Sequence, residues 1–235
     1  MKRFYREVTI APGPHGHQIL LDGRPMRTPA RQVLAVPNAS LAEAIAAEWR
    51  DQEDTIRPDV MPLTRLASTA IDRMPAQRRD AIDEVLAYAD TDLLCYRAAE
   101  PFELVRRQQH AWQPMLDWVS GTYGVRLVVT TSILPLAQPP DVRERLRGAL
   151  EDLGDWPLVG VHAATTALGS LVLGLCLLHG RLDADAALAA GLLDELFEIE
   201  RWGSDAEAER RHEVLRRDVT GAARFLRELN PPRTS

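Results

Sequence analysis

Residues 56–74, IRPDVMPLTRLASTAIDRM, mark the point at which the apolar pattern of this 235-residue chain changes its period. From Pro62 onward Leu63, Leu66, Ala67, Ala70, Ile71 and Met74 fall at spacings of three and four, the stripe of a helix buried along one side, with Pro62 in the favoured first turn. Before this stretch the pattern is that of short strands. FYREVTIA (4–11), GHQILLD (16–22) and RQVLAVP (31–37) are separated by Pro and Gly, with a tight turn at DGRP (22–25). Ser40 to Glu43 has the form of a capping box, and Leu41, Ile45 and Trp49 recur every four residues, so a helix is expected to cover one face of a small sheet.

Beyond residue 74 the helical pattern continues. A second helix carries Ile82, Val85, Leu86 and Ala89, and a third runs from about Phe102 to Ser120, where Pro114 is expected to bend or split it. VRLVVTTSI (125–133) interrupts the run as a strand or extended link. Helices are then expected over 140–152, 157–179, 184–202 and 205–229, with Gly154, Gly180 and Gly203 at their ends. The fold class is therefore α+β. A small N-terminal sheet-and-helix domain (1–58) precedes a larger C-terminal bundle of six or seven helices (59–235). Within that bundle His162, Thr166, Ser170 and Gly174 would form one ridge for close helix packing.

Composition sets limits on function. With 46% apolar and 26% charged residues the chain has ordinary globular make-up. A net charge of −6 spread over both signs leaves no basic face for phosphates, so nucleic acid is not an expected partner. Lys2 is the one lysine, and arginine supplies the remaining fixed positive charge. Cys95 and Cys176 stand far apart in apolar runs and are expected as buried thiols of a reducing compartment. The start, MKRFYREVTIAPGP, has neither a signal core nor an amphipathic leader, which places the protein in a bacterial cytoplasm, or in the mitochondrial matrix for a trimmed organellar form. Leu158 to Leu178 is 21 residues without Asp, Glu, Lys or Arg. Its interior His162, Thr165, Thr166 and Ser170 and its lack of flanking positive charge favour a central buried helix over a membrane span.

No constellation for catalysis emerges. His15-Gly16-His17 reads as a turn, and the nucleophile-elbow, zinc-protease, dinucleotide and P-loop signatures are absent from the sequence. Asp83/Glu84 and Asp194/Glu195 are adjacent on helices and point about 100° apart, so neither pair presents two groups to one bond. The chain is expected not to be an enzyme, with no catalytic, cofactor-binding or metal residues and no cofactor. The alternatives are a small-molecule enzyme with a pocket between the two domains, and a permanent structural subunit.

LLDELFEIERWGSDAEAERRHEV (192–214) is the most informative segment. An amphipathic helix ends at Trp202-Gly203 and a strongly charged helix begins. Glu195 borders the apolar stripe, and Trp202, seven residues on, lies about 20° from it around the helix, so a carboxylate and an indole share an edge. One reading is structural: Trp202 anchors the turn, Glu195 pairs with an arginine, Gly203 ends the helix and Ser204 or Asp205 caps the next. The other adds a partner bearing arginine.

Four blocks carry a resemblance. AAEWRDQEDTIRPDVMPLTRLASTAID (46–72), DLLCYRAAEPFELVRRQQHAWQPMLDW (92–118), ATTALGSLVLGL (164–175) and DELFEIERWGSDAEAERR (194–211) resemble, in order, the assembly chaperones of the F1-ATPase α subunit, of mitochondrial and alphaproteobacterial type. The resemblance implies a small N-terminal α+β domain with a C-terminal orthogonal helical bundle. It also implies a function: binding the newly made α subunit of ATP synthase, shielding its subunit-contact surface, and releasing it into the α3β3 hexamer without hydrolysing nucleotide. The partner-binding residues it implies are Glu195, Trp202, Gly203, Asp205 and Glu207.

Overall fold

The computed structural model describes residues 1–134 and 136–230. β1 (Val8–Gly13) and β2 (Gly16–Leu21) form an antiparallel hairpin in which Val8 faces Leu21 and Gly13 faces Gly16. β3 (Arg24–Pro25) and β4 (Ala35–Val36) both pair antiparallel with β2. Gly16 has φ +119°, and a Cβ there would lie 2.3 Å from the Val36 carbonyl oxygen, so glycine is what lets β4 close on the hairpin. The expected first strand is shortened, because Phe4 to Glu7 lie outside it. Tyr5 turns inward there, its hydroxyl donating to the Trp49 carbonyl at 2.7 Å and its ring 5.5 Å from the indole.

α1 (Ala39–Arg50) packs on β1, β2 and β4 as expected, but its cap is Asn38 and not Ser40. Asn38 Oδ1 accepts from Leu41 N at 2.9 Å, while Nδ2 donates to the carbonyls of Glu228 and Leu229 at 3.0 Å. Asn38 has the extended backbone a cap requires, whereas Ser40 already lies inside the helix, donating to the Glu228 carboxylate as Glu43 pairs with Arg50. Glu48 then joins α1 to the next element. Its buried carboxylate accepts from Leu63 N (2.7 Å), Thr64 N (2.8 Å) and Thr64 Oγ1 (2.7 Å), capping α2 (Pro62–Asp72) from across the sequence. Burial raises the Glu48 carboxyl above its ordinary range, and these three donors oppose that shift.

The remaining helices are α3 (Met74–Asp90), α4 (Phe102–Tyr123), α5 (Pro140–Glu151), α6 (Asp155–Leu168), α7 (Leu171–Leu178), α8 (Ala184–Gly191), α9 (Leu193–Trp202) and α10 (Ala206–Leu229). The architecture is α+β, a small antiparallel sheet followed by a larger helical region. Among the described residues α2 to α10 number nine helices, two more than the upper expectation, because two expected helices are each broken once. α4 runs unsplit through Pro114, and residues 125–133 form an extended link with a single bridge between Tyr96 and Thr130.

The break between α6 and α7 has a clear cause. Gly169 ends α6 in the left-handed conformation (φ +67°), and Ser170 Oγ accepts from Leu173 N at 3.1 Å to start α7. The expected ridge through His162, Thr166, Ser170 and Gly174 is therefore not continuous, since Ser170 is a cap. Gly174 does mark a close approach, but of α7 folding back on α6: a Cβ there would lie 2.4 Å from Thr165 Oγ1 and 3.3 Å from the Val161 carbonyl oxygen. The uncharged stretch 158–178 is thus a buried two-helix corner. Among the described residues no helix is long and apolar enough to cross a membrane.

Most of the buried apolar side chains form one cluster from Tyr5 to Leu226, with α6 packed against α2, α3, α7, α8 and α10. Gly221 lets α10 lie against α2, because a Cβ there would sit 2.5 Å from Pro62 Cβ, part of a ring that cannot rotate aside. Gly221→Ala is expected to lose about 1–2 kcal/mol, overpacking outweighing the helix propensity that alanine gains. A lower urea midpoint with an unchanged m-value is the result expected.

Candidate functional site

α9 is strapped to α4 by three contacts, and a fourth holds the end of α8. Trp112 Nε1 donates to the Ala190 carbonyl of α8 at 2.8 Å, and Gln108 Nε2 donates to Asp194 Oδ1 of α9 at 2.8 Å. Arg107 Nη1 lies 2.9 and 2.8 Å from the two Glu200 oxygens. Phe197, buried between the helices, has the Arg107 and Arg201 guanidinium carbons 5.2 and 4.2 Å from its ring centroid. Burial pushes the Asp194 carboxyl upward, and its bond to Gln108 pulls it back. From Glu198 to Asp218 no residue is fully buried, and α10 enters the core only at Val219. The end of α9 and the first half of α10 are therefore an arm lying on the bundle surface.

All five residues selected from the sequence meet on this arm. They line a cleft of about 490 Å³, together with Glu198, Ile199 and Arg211. Glu195 pairs with Arg211, and His212 Nε2 lies 3.0 Å from Glu195 Oε1. The His212 nitrogen makes no hydrogen bond, so that approach is proximity without alignment. Gly203 has φ +84° and ψ +168°, a region that only glycine enters readily, and it reverses the chain. Asp205 is the cap of α10, its Oδ1 accepting from Glu207 N at 2.9 Å and Ala208 N at 2.7 Å; Ser204 instead donates to Glu209. Trp202 departs from its structural expectation. It does not anchor the turn but stands 82% exposed.

The local pattern around Glu195 calls for an arginine partner without specifying which one. The signal is symmetry about the turn: Glu195 lies eight residues before Gly203 and His212 eight after Ser204, which an antiparallel helix pair brings together with Arg211. Arg107 was not singled out, because nothing in its own segment shows that it reaches α9. Between Asp194 and Glu213 eight carboxylates face three arginines, so the arm suits a cationic partner that can also cover an indole.

The role of Asp205 is separable into cap and charge. Asp205→Ala is expected to cost about 1 kcal/mol and to fray the start of α10, whereas Asp205→Asn keeps the cap and removes only the charge. Amide exchange at Glu207 and Ala208 distinguishes them, with acceleration in the alanine variant alone.

A second cleft, about 900 Å³, lies between residues 26–30 and α2, where the small-molecule alternative expects one. Trp49, Ile56 and Met61 supply apolar lining and Arg27, Arg65 and Arg73 add charge. Two of its hydroxyls serve the fold: Thr28 donates to Asp72 at 2.6 Å and Thr64 to Glu48 at 2.7 Å, and both carboxylates also accept backbone N–H groups. Cys95 and Cys176 are buried and free, and burial pushes both thiols up to about 12, so neither is a ready nucleophile at neutral pH. Among the described residues no three His, Cys, Asp or Glu side chains converge as a metal site.

The arm thus leaves an exposed indole among carboxylates on the surface of a packed helical body. The family described as ATP12 chaperone protein matches residues 2–120, just over half of the sequence, and the chain belongs to that family. The crystal structure of Atp12 from Paracoccus denitrificans is similar over 97% of both chains, with 39% identity and a TM-score of 0.90. A putative chaperone from Agrobacterium tumefaciens, Atu1473, is similar over 97% of this chain and 86% of its own, with 36% identity and a TM-score of 0.92. Protein atp12, mitochondrial, of Schizosaccharomyces pombe is 28% identical over 213 residues, covering 86% of this chain and 72% of the relative. The matched family region ends before the acidic arm, whereas the two structural likenesses span nearly the whole chain.

Proposed function

We propose that this chaperone binds the unassembled α subunit of the F1 sector of ATP synthase and releases it into the α3β3 hexamer. The observation that carries the reading is Trp202, an indole left 82% exposed among carboxylates at the end of a surface arm. A large aromatic in that position gives the fold little, and gains its burial when a partner covers it. An unassembled subunit exposes apolar contact surface that aggregates. A temporary partner prevents this if its interface is small enough to be displaced by the larger final one. Release is then exchange by mass action, and the work requires no covalent step or cofactor. The site in a bacterial cell is the cytoplasm, where the subunits are made, and in an organelle the matrix.

Titrating the protein into refolded α subunit at two ionic strengths tests this. A complex that weakens as salt rises is the expected result, since the arm is anionic. Absence of any complex at low salt contradicts it. Within the same reading residues 1–58 and 59–235 act as two domains. First cleavage by a dilute protease between Asp51 and Val60 supports that division, and first cleavage elsewhere opposes it.

A further inference from the structure

The cleft of about 900 Å³ between residues 26–30 and α2 shares no residue with the lining of the acidic arm, and its charge is of the opposite sign. Three arginines line it against a single carboxylate, in a chain whose net charge is −6. That carboxylate, Asp72, is already engaged, since Oδ1 accepts from Thr28 Oγ1 at 2.6 Å and Oδ2 from Ala30 N at 3.0 Å. The arginines are exposed. Arg65 is shared with Asp218 at 3.1 Å, Arg27 Nη1 donates to the Arg31 carbonyl at 2.8 Å, which leaves its charge unneutralised, and Arg73 pairs with no carboxylate among the described residues. Arg27 and Arg73 are the chain neighbours of Thr28 and Asp72, so the bond between those two residues brings the backbone positions of both charges together.

Most of the remaining lining is apolar. Trp49 is half-buried, with Nε1 donating to Thr64 Oγ1 at 3.1 Å, which fixes the indole against α2. Met1 is 74% exposed, and its carbonyl accepts from Ile56 N at 2.8 Å, which holds it at the cleft. Methionine, tryptophan and arginine are the residue types enriched where proteins meet proteins.

We infer that this cleft is a second client contact, and that it takes a segment of the F1 α subunit in which an Asp or Glu stands beside an apolar side chain. This rests on the function proposed above and adds a contact whose charge is opposite to that of the arm. Charge complementarity selects the occupant: two guanidiniums without a carboxylate partner offer forked donors to an incoming carboxylate, while Trp49 and Met1 give apolar area to its neighbour. Asp72, held by its two donors, closes the cleft without competing for the arginines.

The test uses the full chain with refolded F1 α subunit and has two readouts. Arg27→Gln combined with Arg73→Gln alters exposed positions and is expected to leave the urea midpoint unchanged, to weaken binding about tenfold and to flatten its salt dependence. The second readout needs no variant. Met1 is the one exposed methionine of the five, since Met26, Met61 and Met74 are buried and Met115 is half-buried, so dilute peroxide oxidises it first. Mass spectrometry is expected to show Met1 protected in the complex and reactive in the free protein. If the double variant lowers the urea midpoint, protection of Met1 in the wild-type complex decides alone. Wild-type affinity in a stably folded double variant, or a Met1 as reactive in the complex as in the free protein, overturns the second contact and leaves the proposed client standing. Protection that rises with the concentration of the free chaperone assigns the cleft to a second copy of this chain, and protection by decanoate but not by the α subunit assigns it to a small amphiphile. Either overturns the inference. Failure of the wild-type protein to bind the α subunit overturns the proposed client, and the second contact falls with it.

Discussion

Trp202→Ala is expected to weaken binding of the F1 α subunit about thirtyfold, equivalent to about 2 kcal/mol, while leaving the stability of the free protein unchanged. The two halves of this expectation have separate causes. The indole is 82% exposed, so its removal leaves no cavity and few lost contacts within the chain. A partner that covers it buries a large rigid surface beside carboxylates that fix the direction of approach. Trp202→Phe is expected to fall between wild type and alanine, because it keeps the apolar ring and loses the indole N–H. Isothermal titration of each variant together with its urea unfolding curve checks both halves. A lowered unfolding midpoint with unchanged affinity would return Trp202 to the structural role of anchoring the turn.

The largest loss of stability is expected at Asp92, which no reading of the sequence marked out. It is fully buried in the linker between α3 and α4, and it ties that linker to the start of α7. Its Oδ1 accepts from Ser170 Oγ at 2.7 Å and Leu94 N at 3.1 Å, and its Oδ2 accepts from Val172 N at 3.0 Å. It therefore completes the first turn of α7 at the place where the chain breaks after Gly169. Asp92→Ala strands these buried donors and is expected to cost about 3 kcal/mol or more. Asp92→Asn is expected to be milder but still harmful, since one oxygen becomes an NH2 group that cannot accept from Val172 N while the other bonds are kept.

The same residue gives a pH signature. Burial raises the Asp92 carboxyl from 3.8 to about 6, and the hydrogen bonds it accepts only partly oppose this. Between about pH 4 and pH 6 the unfolded chain releases the proton while the folded protein retains it. The folded state then binds more protons, so this group's contribution to stability falls as pH rises through the window and levels off above it. Urea unfolding of wild type and Asp92→Asn from pH 4 to 7 measures it. The advantage of wild type is expected to be greatest at the acid end and to shrink toward pH 6. An advantage that grows with pH would mean that the folded state holds the carboxylate charged more readily than water does.

The α+β division, the hairpin, α1, α2 and the last helix were legible because each rests on a periodic apolar pattern that burial enforces. The region 158–178 was legible as buried and not as broken. Uniform apolarity carries no period, so the turn at Gly169–Ser170 was set by a cap on Ser170 and a carboxylate from residue 92, both outside any local pattern. Asn38 displaced Ser40 as the first cap for a similar reason, its amide being held by the far end of α10. At the candidate site the residues carried by family resemblance do meet, and local spacing alone placed Glu195 beside Trp202. Local spacing marked Ser204 or Asp205 as the cap of α10 without deciding between them, and it did not show that Arg107 clamps Glu200 from α4, since contacts between distant helices leave no mark on either segment.

The most direct test of the account is handover. F1 α subunit is refolded with and without this protein, followed by light scattering, and the mixture is separated by size before and after addition of β subunit. The α subunit is expected to stay dispersed in a complex with the chaperone, and β to shift α into an α–β assembly while the chaperone elutes alone. A chaperone that remains bound in the finished assembly, or an α subunit that aggregates to the same extent whether or not the protein is present, would contradict it.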